Sequence, residues 1–418
     1  MEIQGKPDPF PPTDEAWRSR LQSLDPQRYA ATRNHLLGSV SRLSPYLTHG
    51  FVSLGEAVDA IRSRTRLHQD DKLFAEFAWR SFYHHVWAHK GEAIFEDLRP
   101  AIPNVRYTTV LPTDIREGQT GLPVIDQAIS TLYSAGYLHN HARMWLASYV
   151  VHLRHIHWRV AADWMYGHLL DGDLASNHLS WQWVASTFST KPYLFNAENV
   201  SKYAPVAWHS EETPLSTSYE SLELMALGHA ESDRAKFLKF EANIKHKSPA
   251  LEEPWLYDTP PASILTELEC PFLEGSLTNV GESNSIELVH PWGLRAESLV
   301  VGVEAKKPYR LGVIHLPSRA RWPWSHRRWH FVLKRMASLC DAMFIGNARD
   351  LANLLPKNKT YYLVNNLGAQ ETQSALSDLN PTMLQPPTLF EEPEYFCQSF
   401  SKYFRSVTER KPDHRGAS

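Results

Sequence analysis

The chain has 418 residues, of which 43% are hydrophobic and 21% charged, an ordinary globular composition that excludes a mainly disordered protein. A formal charge of −3 excludes a generally basic protein that coats nucleic acid, although it leaves room for a local basic groove. The length favours two or three domains, and the 14 tryptophans suit either core packing or stacking on a ring system.

The three cysteines, Cys270, Cys340 and Cys397, lie too far apart for CxxC chemistry and are too few for a four-cysteine zinc or iron-sulfur site. No run of about 18 uncharged apolar residues occurs, and the first residues are polar and rich in proline. We therefore expect a soluble protein of a reducing compartment with no membrane partner, located in the cytoplasm and near the nucleoid if the source is a bacterium.

Residues 1–210 hold nine of the 14 tryptophans, and their apolar residues recur at helical spacing. We divide them into an N-terminal segment (1–28) and a helical domain (29–210). Predicted helices cover residues 72–89, 124–136 and 140–155, and a further helix begins near Asp173. No strand-rich section is expected before Pro205.

The second half of the sequence has a different pattern. Residues 211–283 combine one polar amphipathic stretch with many prolines, which predicts a linker with one helix. Residues 284–370 alternate strand-like and helical runs, which predicts a small α/β domain. Its predicted strands are 299–303, 311–316, 342–345 and 361–364, and its predicted helices are 327–339 and 349–355. Residues 371–418 are expected to be a tail with one helix at 397–404.

Four short stretches could carry chemistry. Glu76, Trp79, Arg80 and Tyr83 are spaced to share one helix face, although an amphipathic helix with an ion pair between Glu76 and Arg80 explains them as well. The turn at residues 40–45 (VSRLSP) offers two hydroxyls and an arginine, which suit phosphate oxygens or a simple helix cap.

The other two stretches lie further along the chain. Asn140, Arg143 and Met144 would share one face of a helix and could line a pocket. A capped helix with Met144 in the core explains them at least as well. Asp173 and Asn177 lie four residues apart on a predicted polar stripe, whereas Asp residues at such a place are often only N-caps.

Several common sites are not indicated. His85 and His89 have the spacing of zinc ligands, but no HExxH pattern accompanies them, so we predict no metal. GxGxxG, GxxxxGK[ST] and GxSxG motifs are absent from the sequence, so dinucleotide binding of the Rossmann type, P-loop chemistry and hydrolase chemistry lose their main support. The stretch with Arg319, Arg321, Trp322, Trp324, Arg327 and Arg328 suits either nucleic-acid contact or a solvated helix start.

The order of these segments resembles the FAD-binding helical domain of the DNA photolyase and cryptochrome family. The segments are Tyr29, 41–47 (SRLSPYL), 76–80 (EFAWR), 120–126 (TGLPVID), 139–144 (HNHARM) and 171–183 (DGDLASNHLSWQW). They span about half of the chain. The resemblance implies a mainly α fold, with a photolyase-like FAD-binding helical bundle followed by the small α/β domain.

The resemblance also implies where FAD would bind. Tyr29 and the turn of Ser41, Arg42, Leu43 and Ser44 would hold its phosphates. Arg143 would pair with Asp171 beside the isoalloxazine, and Asp173 would contact the flavin region. Asn177 would face flavin N5, where an amide leans toward repair and a carboxylate toward signalling.

By the same resemblance, the expected function is light-driven repair of DNA, with electron transfer from reduced FAD to a cyclobutane pyrimidine dimer by a photo-lyase-like enzyme (a carbon-carbon lyase). Trp79 and Trp183 would stack on the lesion, Glu76 and Asn140 would bond its bases, and Met144 would lie against it. The partner would be damaged DNA, single or double stranded.

Further roles follow from the same family. Trp181 and Trp158 match the first two members of its electron chain, while Tyr107 is only near the place of the third. Arg80 and His141 would contact DNA, although His141 stands where an arginine is common. The alternatives are a cryptochrome-like blue-light receptor without repair activity and a structural protein that keeps only the fold or the cofactor.

The sequence departs from the family at its ends. The amino-terminal α/β antenna domain is missing, which puts a bound antenna chromophore in doubt. The α/β domain at 284–370 could be a displaced antenna-like domain or a docking module for an unknown protein partner.

Overall fold

The computed structural model describes residues 8–243, 249–273, 283–300 and 307–409, and its first part is helical. The helices of this part are α1 (Asp14–Ser23), α2 (Pro26–Thr32), α3 (Ser44–Thr48), α4 (Leu54–Arg62), α5 (Lys72–Lys90), α6 (Thr113–Arg116), α7 (Pro123–Ala135), α8 (Asn140–Ser148), α9 (Trp158–His168), α10 (Leu174–Val184) and α11 (Ala197–Tyr203). A 3-10 turn follows α5 at Gly91–Phe95, and a π-helical turn at Tyr149–Leu153 continues α8.

Local sequence explains the limits of these helices. Pro123 opens α7, and Gly136 closes it in a left-handed conformation with φ of 61°, which glycine adopts at little cost. Asp173 caps α10 because its side chain accepts a hydrogen bond from the backbone N–H of Ser176 at 2.7 Å. The predicted helices at 72–89, 124–136 and near Asp173 are thus confirmed. The helix predicted at 140–155 is shorter, because the chain changes to π-type bonding after Ser148.

The linker has more structure than predicted. It contains α12 (Tyr219–Ala226), α13 (Glu231–Asn243) and α14 (Ala262–Leu265), and a two-residue strand β1 (Leu256–Tyr257). The prediction of one helix is wrong because Gly228, with φ of 73°, breaks the amphipathic stretch between α12 and α13.

The α/β part is built on a five-stranded parallel sheet. Its elements are β2 (Ser285–Val289), β3 (Tyr309–His315), α15 (Leu316–Arg321), β4 (Trp324–Ser325), α16 (His326–Leu339), β5 (Ala342–Gly346), α17 (Ala348–Leu354), β6 (Thr360–Val364), α18 (Gln370–Ala375), β7 (Thr382–Leu384) and α19 (Phe400–Thr408). The sheet order is β5-β3-β2-β6-β7, while β1 pairs with β4. Counted along the chain this is the 3-2-1-4-5 order of a doubly wound sheet.

The predicted strands at 311–316, 342–345 and 361–364 and both predicted helices of this part are confirmed. The strand predicted at 299–303 is wrong at Leu299 and Val300, which lie outside any strand, and its other residues fall outside the described ranges. Strands β2 and β7 were not predicted. The tail helix is present, although it begins at Phe400 rather than at residue 397.

The helical and α/β parts share one hydrophobic core. Trp17, Phe51 and Phe74 of the helical part belong to the same buried cluster as Trp329 and Phe331 of α16. A second cluster fills the space among α7, α8, α9 and α10, and a third lies on the sheet. Within the described residues no helix is long and apolar enough to cross a membrane.

Arginine–carboxylate ion pairs cross the same boundary, and Arg321 of α15 with Glu92 after α5 is one of them. Arg295, after β2, forms two bonds of 2.5 and 2.8 Å to the carboxylate of Glu56 in α4. Arg335 of α16 bonds Asp14 of α1 at 2.8 Å. The bonds from Arg295 lower the pKa of Glu56 from its ordinary value of 4.5 to about 2.

We predict that the Glu56→Gln variant is less stable than the wild type by about 1 kcal/mol at pH 7, because the carboxylate is partly exposed and solvent screens the pair. Since the pKa of Glu56 is lowered on folding, its contribution is present above pH 4.5 and is lost as the pH falls toward 2. Urea unfolding at several pH values measures the difference. The control is Glu297→Gln, an exposed carboxylate nearby. An equal loss in both variants would contradict the prediction.

Candidate functional site

Asp171 and Arg143 form the ion pair that the resemblance implies. The guanidinium of Arg143 donates to both carboxylate oxygens of Asp171 at 2.8 and 3.0 Å, and its Nε donates to the carbonyl of Leu138 at 2.7 Å. The Asp171 side chain is buried, while that of Arg143 is about a quarter exposed. The pair joins α8 to the turn before α10 and leaves no net charge there.

Asp173 is the most strongly held carboxylate at the site. Besides capping α10, it accepts hydrogen bonds from Arg80 at 3.3 Å and from His84 at 2.8 Å, both in α5. Burial alone would raise the pKa of Asp173, but the charges of His84 and Arg80 hold it well below its usual value. The predicted DNA contact of Arg80 is not supported, because its guanidinium points inward to this carboxylate. Sequence reasoning missed His84, although it follows Arg80 by one helical turn.

Asn177 lies one turn after Asp173 on α10 and is buried. Its amide nitrogen donates to the carbonyl of Ala162 at 2.8 Å, which fixes the plane of the amide. The amide oxygen has no partner in the described residues, so it is available to a ligand.

The turn expected to bind phosphate has the required groups. Arg42 has a φ of 49°, an uncommon value for a residue with a side chain, and Leu43 is fully buried. Ser41 accepts a hydrogen bond from the backbone of Leu43 at 3.4 Å, and Ser44 begins α3. Tyr29 lies partly buried in the preceding helix, and burial raises the pKa of its hydroxyl.

Glu76 does not pair with Arg80, so the alternative of an ion pair within α5 is wrong. Its carboxylate bonds Arg33 at 2.6 Å, and Arg33 follows α2, 43 positions earlier. Burial raises the pKa of Glu76, although Arg33 opposes the shift. Glu76 therefore has a fixed orientation toward the partly exposed part of the site.

The aromatic residues expected to stack on a lesion differ in their surroundings. Trp79 is covered on one face by Phe400 of α19, with ring centroids 4.0 Å apart and an angle of 6° between the planes. Trp183 is partly exposed, and its ring centroid lies 6.0 Å from that of Tyr193. The rings of Phe82 and Tyr83 also lie against the Trp79 indole, with centroid distances of 5.8 and 5.5 Å.

The segment that ends in α19 is held in place by His85. Its Nδ1 lies 2.9 Å from the carboxylate of Glu392, and its Nε2 accepts a hydrogen bond from the backbone of Cys397 at 2.9 Å. Within the described ranges, no group of three or more His, Cys, Asp or Glu residues could hold a metal ion.

Asn140 and Met144 lie together at the start of α8, where the amide nitrogen is 3.8 Å from the sulfur. Asn140 is exposed and Met144 is partly exposed. Their neighbour His141 is different, because its ring is buried against Trp145 and Tyr203 and its Nδ1 contacts the carbonyl of Asn34 at 2.8 Å. The predicted DNA contact of His141 is not supported for this reason.

Trp181 and Trp158, the expected electron-transfer pair, are both buried in the cluster around α7 to α10. The indole of Trp158 donates to Asp97 at 2.6 Å. Tyr107 is partly exposed and reaches Trp158 through the ring of His157, with centroid distances of 6.3 and 5.7 Å. Tyr107, His157 and Trp158 thus form a row of rings that ends at a partly exposed tyrosine.

The basic and aromatic stretch at 319–328 is an interface inside the protein. Trp322 and Trp324 are buried, as are Arg319 and Arg328. The guanidinium of Arg319 lies 4.2 Å from the ring centroid of Trp324. The two readings of this stretch, nucleic-acid contact and a solvated helix start, are therefore both wrong for these four residues.

The residues present fit a polar cofactor. Two buried polar atoms that border the site have no hydrogen-bond partner, Nε2 of His139 and Oγ of Ser176. Such atoms cost free energy unless a ligand bonds them. Hydroxyls and the Arg42 guanidinium suit a diphosphate, while the Asn177 amide suits a ring with both donors and acceptors. Two surface cavities of about 540 and 480 Å³ lie elsewhere and are lined by none of these residues.

Comparison with known proteins identifies the class of this domain. Residues 73–211 match the family described as the FAD binding domain of DNA photolyase. Residues 73–211 therefore resemble a flavin-binding domain of the photolyase type, and FAD is the cofactor that this match indicates.

Two similar proteins are deoxyribodipyrimidine photo-lyases. The one from Streptomyces griseus is 38% identical over 149 residues, which are 36% of this chain and 32% of that protein. The one from Synechococcus sp. is 31% identical over 214 residues, which are 46% of this chain and 43% of that protein. The chain is similar to these photo-lyases over part of its length, and it spans less than half the length of either relative.

Two solved structures are also similar. A class III photolyase from Agrobacterium tumefaciens has a TM-score of 0.43 at 22% identity, over 54% of this chain and 55% of that one. A cryptochrome from Synechocystis has a TM-score of 0.42 at 21% identity, over 57% of this chain and 53% of that one.

We predict that the Asp173→Asn variant loses about 3 kcal/mol of stability, because it leaves a buried guanidinium and an imidazole without their carboxylate. Denaturant unfolding of the purified protein measures the loss. The control is Asp233→Asn, which removes an exposed pair with Lys236 and should change the stability by less than about 0.5 kcal/mol. Similar values for the two variants would show that the buried pairing is unimportant.

Proposed function

We propose that the protein is a light-driven DNA repair enzyme that splits cyclobutane pyrimidine dimers with FAD. One observation carries the proposal: a buried amide, Asn177, lies one helical turn from Asp173 and close in sequence to the Asp171 and Arg143 pair. This is the set that the family resemblance associates with a reduced flavin. The photo-lyase names of the similar proteins support the same activity.

Reduced FAD, when bound and excited by light, supplies the electron that splits the dimer and that returns afterwards. The protein's own residues prepare this step. Arg143 and Asp171 neutralise each other beside the proposed ring position, and the oxygen of Asn177 can accept a hydrogen bond there. The buried surroundings of Asn177 and Asp173 exclude water.

The substrate side needs a base that has left the DNA stack. Trp183 and the partly exposed ring of Trp79 would hold the flipped dimer by stacking, with Met144 beside it. Glu76, oriented by Arg33, and the exposed amide of Asn140 would bond the base edges. Little proton transfer is required, which agrees with a site of aromatic rings and amides.

One observation favours a blue-light receptor as the second candidate. Phe400 occupies one face of Trp79, and the side chains expected at DNA, Arg80 and His141, are directed inward. Fewer phosphate contacts would weaken binding to DNA, since these contacts supply much of the affinity. A receptor would use flavin photochemistry without this substrate.

We predict that the reduced protein removes dimers from an irradiated oligonucleotide in light and not in the dark. The Trp183→Ala variant should be slower by about tenfold or more at limiting substrate, because stacking on one aromatic ring contributes about 1–3 kcal/mol. The measurement is the remaining dimer after timed exposure to light. Trp255→Ala is the control, because this indole is 75% exposed and lies in the linker.

The same assay separates the two candidates. If the wild-type protein holds fully reduced FAD but removes no dimer from single or double strands, the repair proposal is wrong and the receptor is favoured. If Trp183→Ala and Trp255→Ala act alike, the proposed lesion pocket is wrong.

A further inference from the structure

The turn between α9 and α10 has backbone carbonyls that are held from outside the turn. The hydroxyl of Thr48 donates to the carbonyl of Asp171 at 3.3 Å, and Nε2 of His49 lies 3.0 Å from the carbonyl of Leu170. The other ring nitrogen of His49 lies 2.7 Å from the carbonyl of Pro291. Burial lowers the pKa of His49 to about 3, so the neutral ring donates to only one of these carbonyls at a time.

The third carbonyl of the turn is held by the α/β part. Arg328, in the first turn of α16, donates to the carbonyl of Gly172 at 2.6 Å and to that of Tyr166 at 3.0 Å. Its side chain is fully buried, and no carboxylate of the described ranges forms an ion pair with it. Its charge is stabilised by the two carbonyls and by the rings of Tyr166 and Trp324, whose centroids lie 4.7 and 4.4 Å from the guanidinium carbon.

Gly172 makes this approach possible. A Cβ atom at this position would lie 2.3 Å from a terminal nitrogen of Arg328 and 2.6 Å from the carbonyl oxygen of Tyr166. Any other residue would therefore push the guanidinium or the backbone away. The absence of a side chain at Gly172 therefore leaves the space that the guanidinium of Arg328 occupies.

The carbonyl that Arg328 holds lies between two functional carboxylates. Asp171 precedes Gly172 and pairs with Arg143, and Asp173 follows it and pairs with Arg80 and His84. A movement of this peptide would shift both side chains.

We propose that Arg328 is a positioning residue of the flavin site, through which the α/β part fixes the turn that carries Asp171 and Asp173. The inference rests on the proposed placement of FAD beside this turn. It gives the α/β part a role in cofactor binding through one buried side chain.

Arg335 provides a matched control for this role. It belongs to the same helix as Arg328, is also buried, and also crosses to the helical part, where it bonds Asp14 at 2.8 Å. Its Nε donates to the carbonyl of Leu294, within the α/β part, at 3.2 Å. It makes no bond to the turn before α10. Loss of Arg335 should therefore weaken the interface without moving the two carboxylates.

The test compares Arg328→Met, Arg328→Lys and Arg335→Met in the full chain. FAD is removed, the apoprotein is titrated with FAD, and the dissociation constant and the visible absorption spectrum of the bound flavin are measured. We expect Arg328→Met to raise the dissociation constant for FAD about tenfold and to alter the spectrum, because the turn that carries Asp171 and Asp173 loses the donor that holds it. Arg328→Lys should have a smaller but measurable effect, because its ammonium can keep one of the two carbonyls that the planar guanidinium holds together. Arg335→Met should leave both readouts within about twofold of the wild type, even where denaturant unfolding shows a loss of stability.

Wild-type affinity and an unchanged spectrum in Arg328→Met would overturn the inference. An equal loss of FAD in Arg328→Met and Arg335→Met would also overturn it, because the effect would then come from general loosening. If Arg328→Met does not fold, Arg328→Lys decides, and an unchanged dissociation constant in that variant would be the contrary result. If the wild-type protein binds FAD and repairs no dimer, only the proposed function fails.

Discussion

Buried carboxylates are stable only when cations or hydrogen-bond donors surround them, and two of them flank a single glycine in this protein. Asp171 and Asp173 take their partners from α8 and α5, while the peptide between them is held by Arg328 from α16. These contacts join three parts of the chain that are distant in sequence. The geometry beside the proposed flavin depends on all of them together, so the turn is the centre around which the helices and the α/β part are arranged.

Much of the fold could be predicted because local signals were strong. Proline and glycine mark the two ends of α7, and a capping aspartate marks the start of α10. The strand β2 was missed since it is short and buried on both faces, and it contains the polar residues Ser285 and Glu287, so neither alternation nor an apolar run marks it. The break between α12 and α13 depends on one glycine in a left-handed conformation, which composition does not show.

The site was predictable at the level of helix faces but not of partners. Helical spacing and the family resemblance together selected Glu76, Asn140 and Asn177, which lie on α5, α8 and α10. The spacing could not show that Glu76 bonds Arg33, since partners far apart in sequence are chosen by tertiary packing. The sequence also did not show which of the charged and aromatic residues are buried. A run of arginines and tryptophans suits a nucleic-acid surface and a core equally, and only the contacts of Arg328 with carbonyls and rings reveal the second case.

The shared hydrophobic core has a practical meaning for anyone who handles this protein. The connection between the helical and α/β parts includes proline-rich stretches, and Trp255 there is exposed to a protease. A single cut at that point would leave Trp17, Phe51 and Phe331 packed in one cluster and the ion pairs of Arg295 and Arg335 intact. The two fragments should remain together as a nicked complex under native conditions and separate only in denaturant.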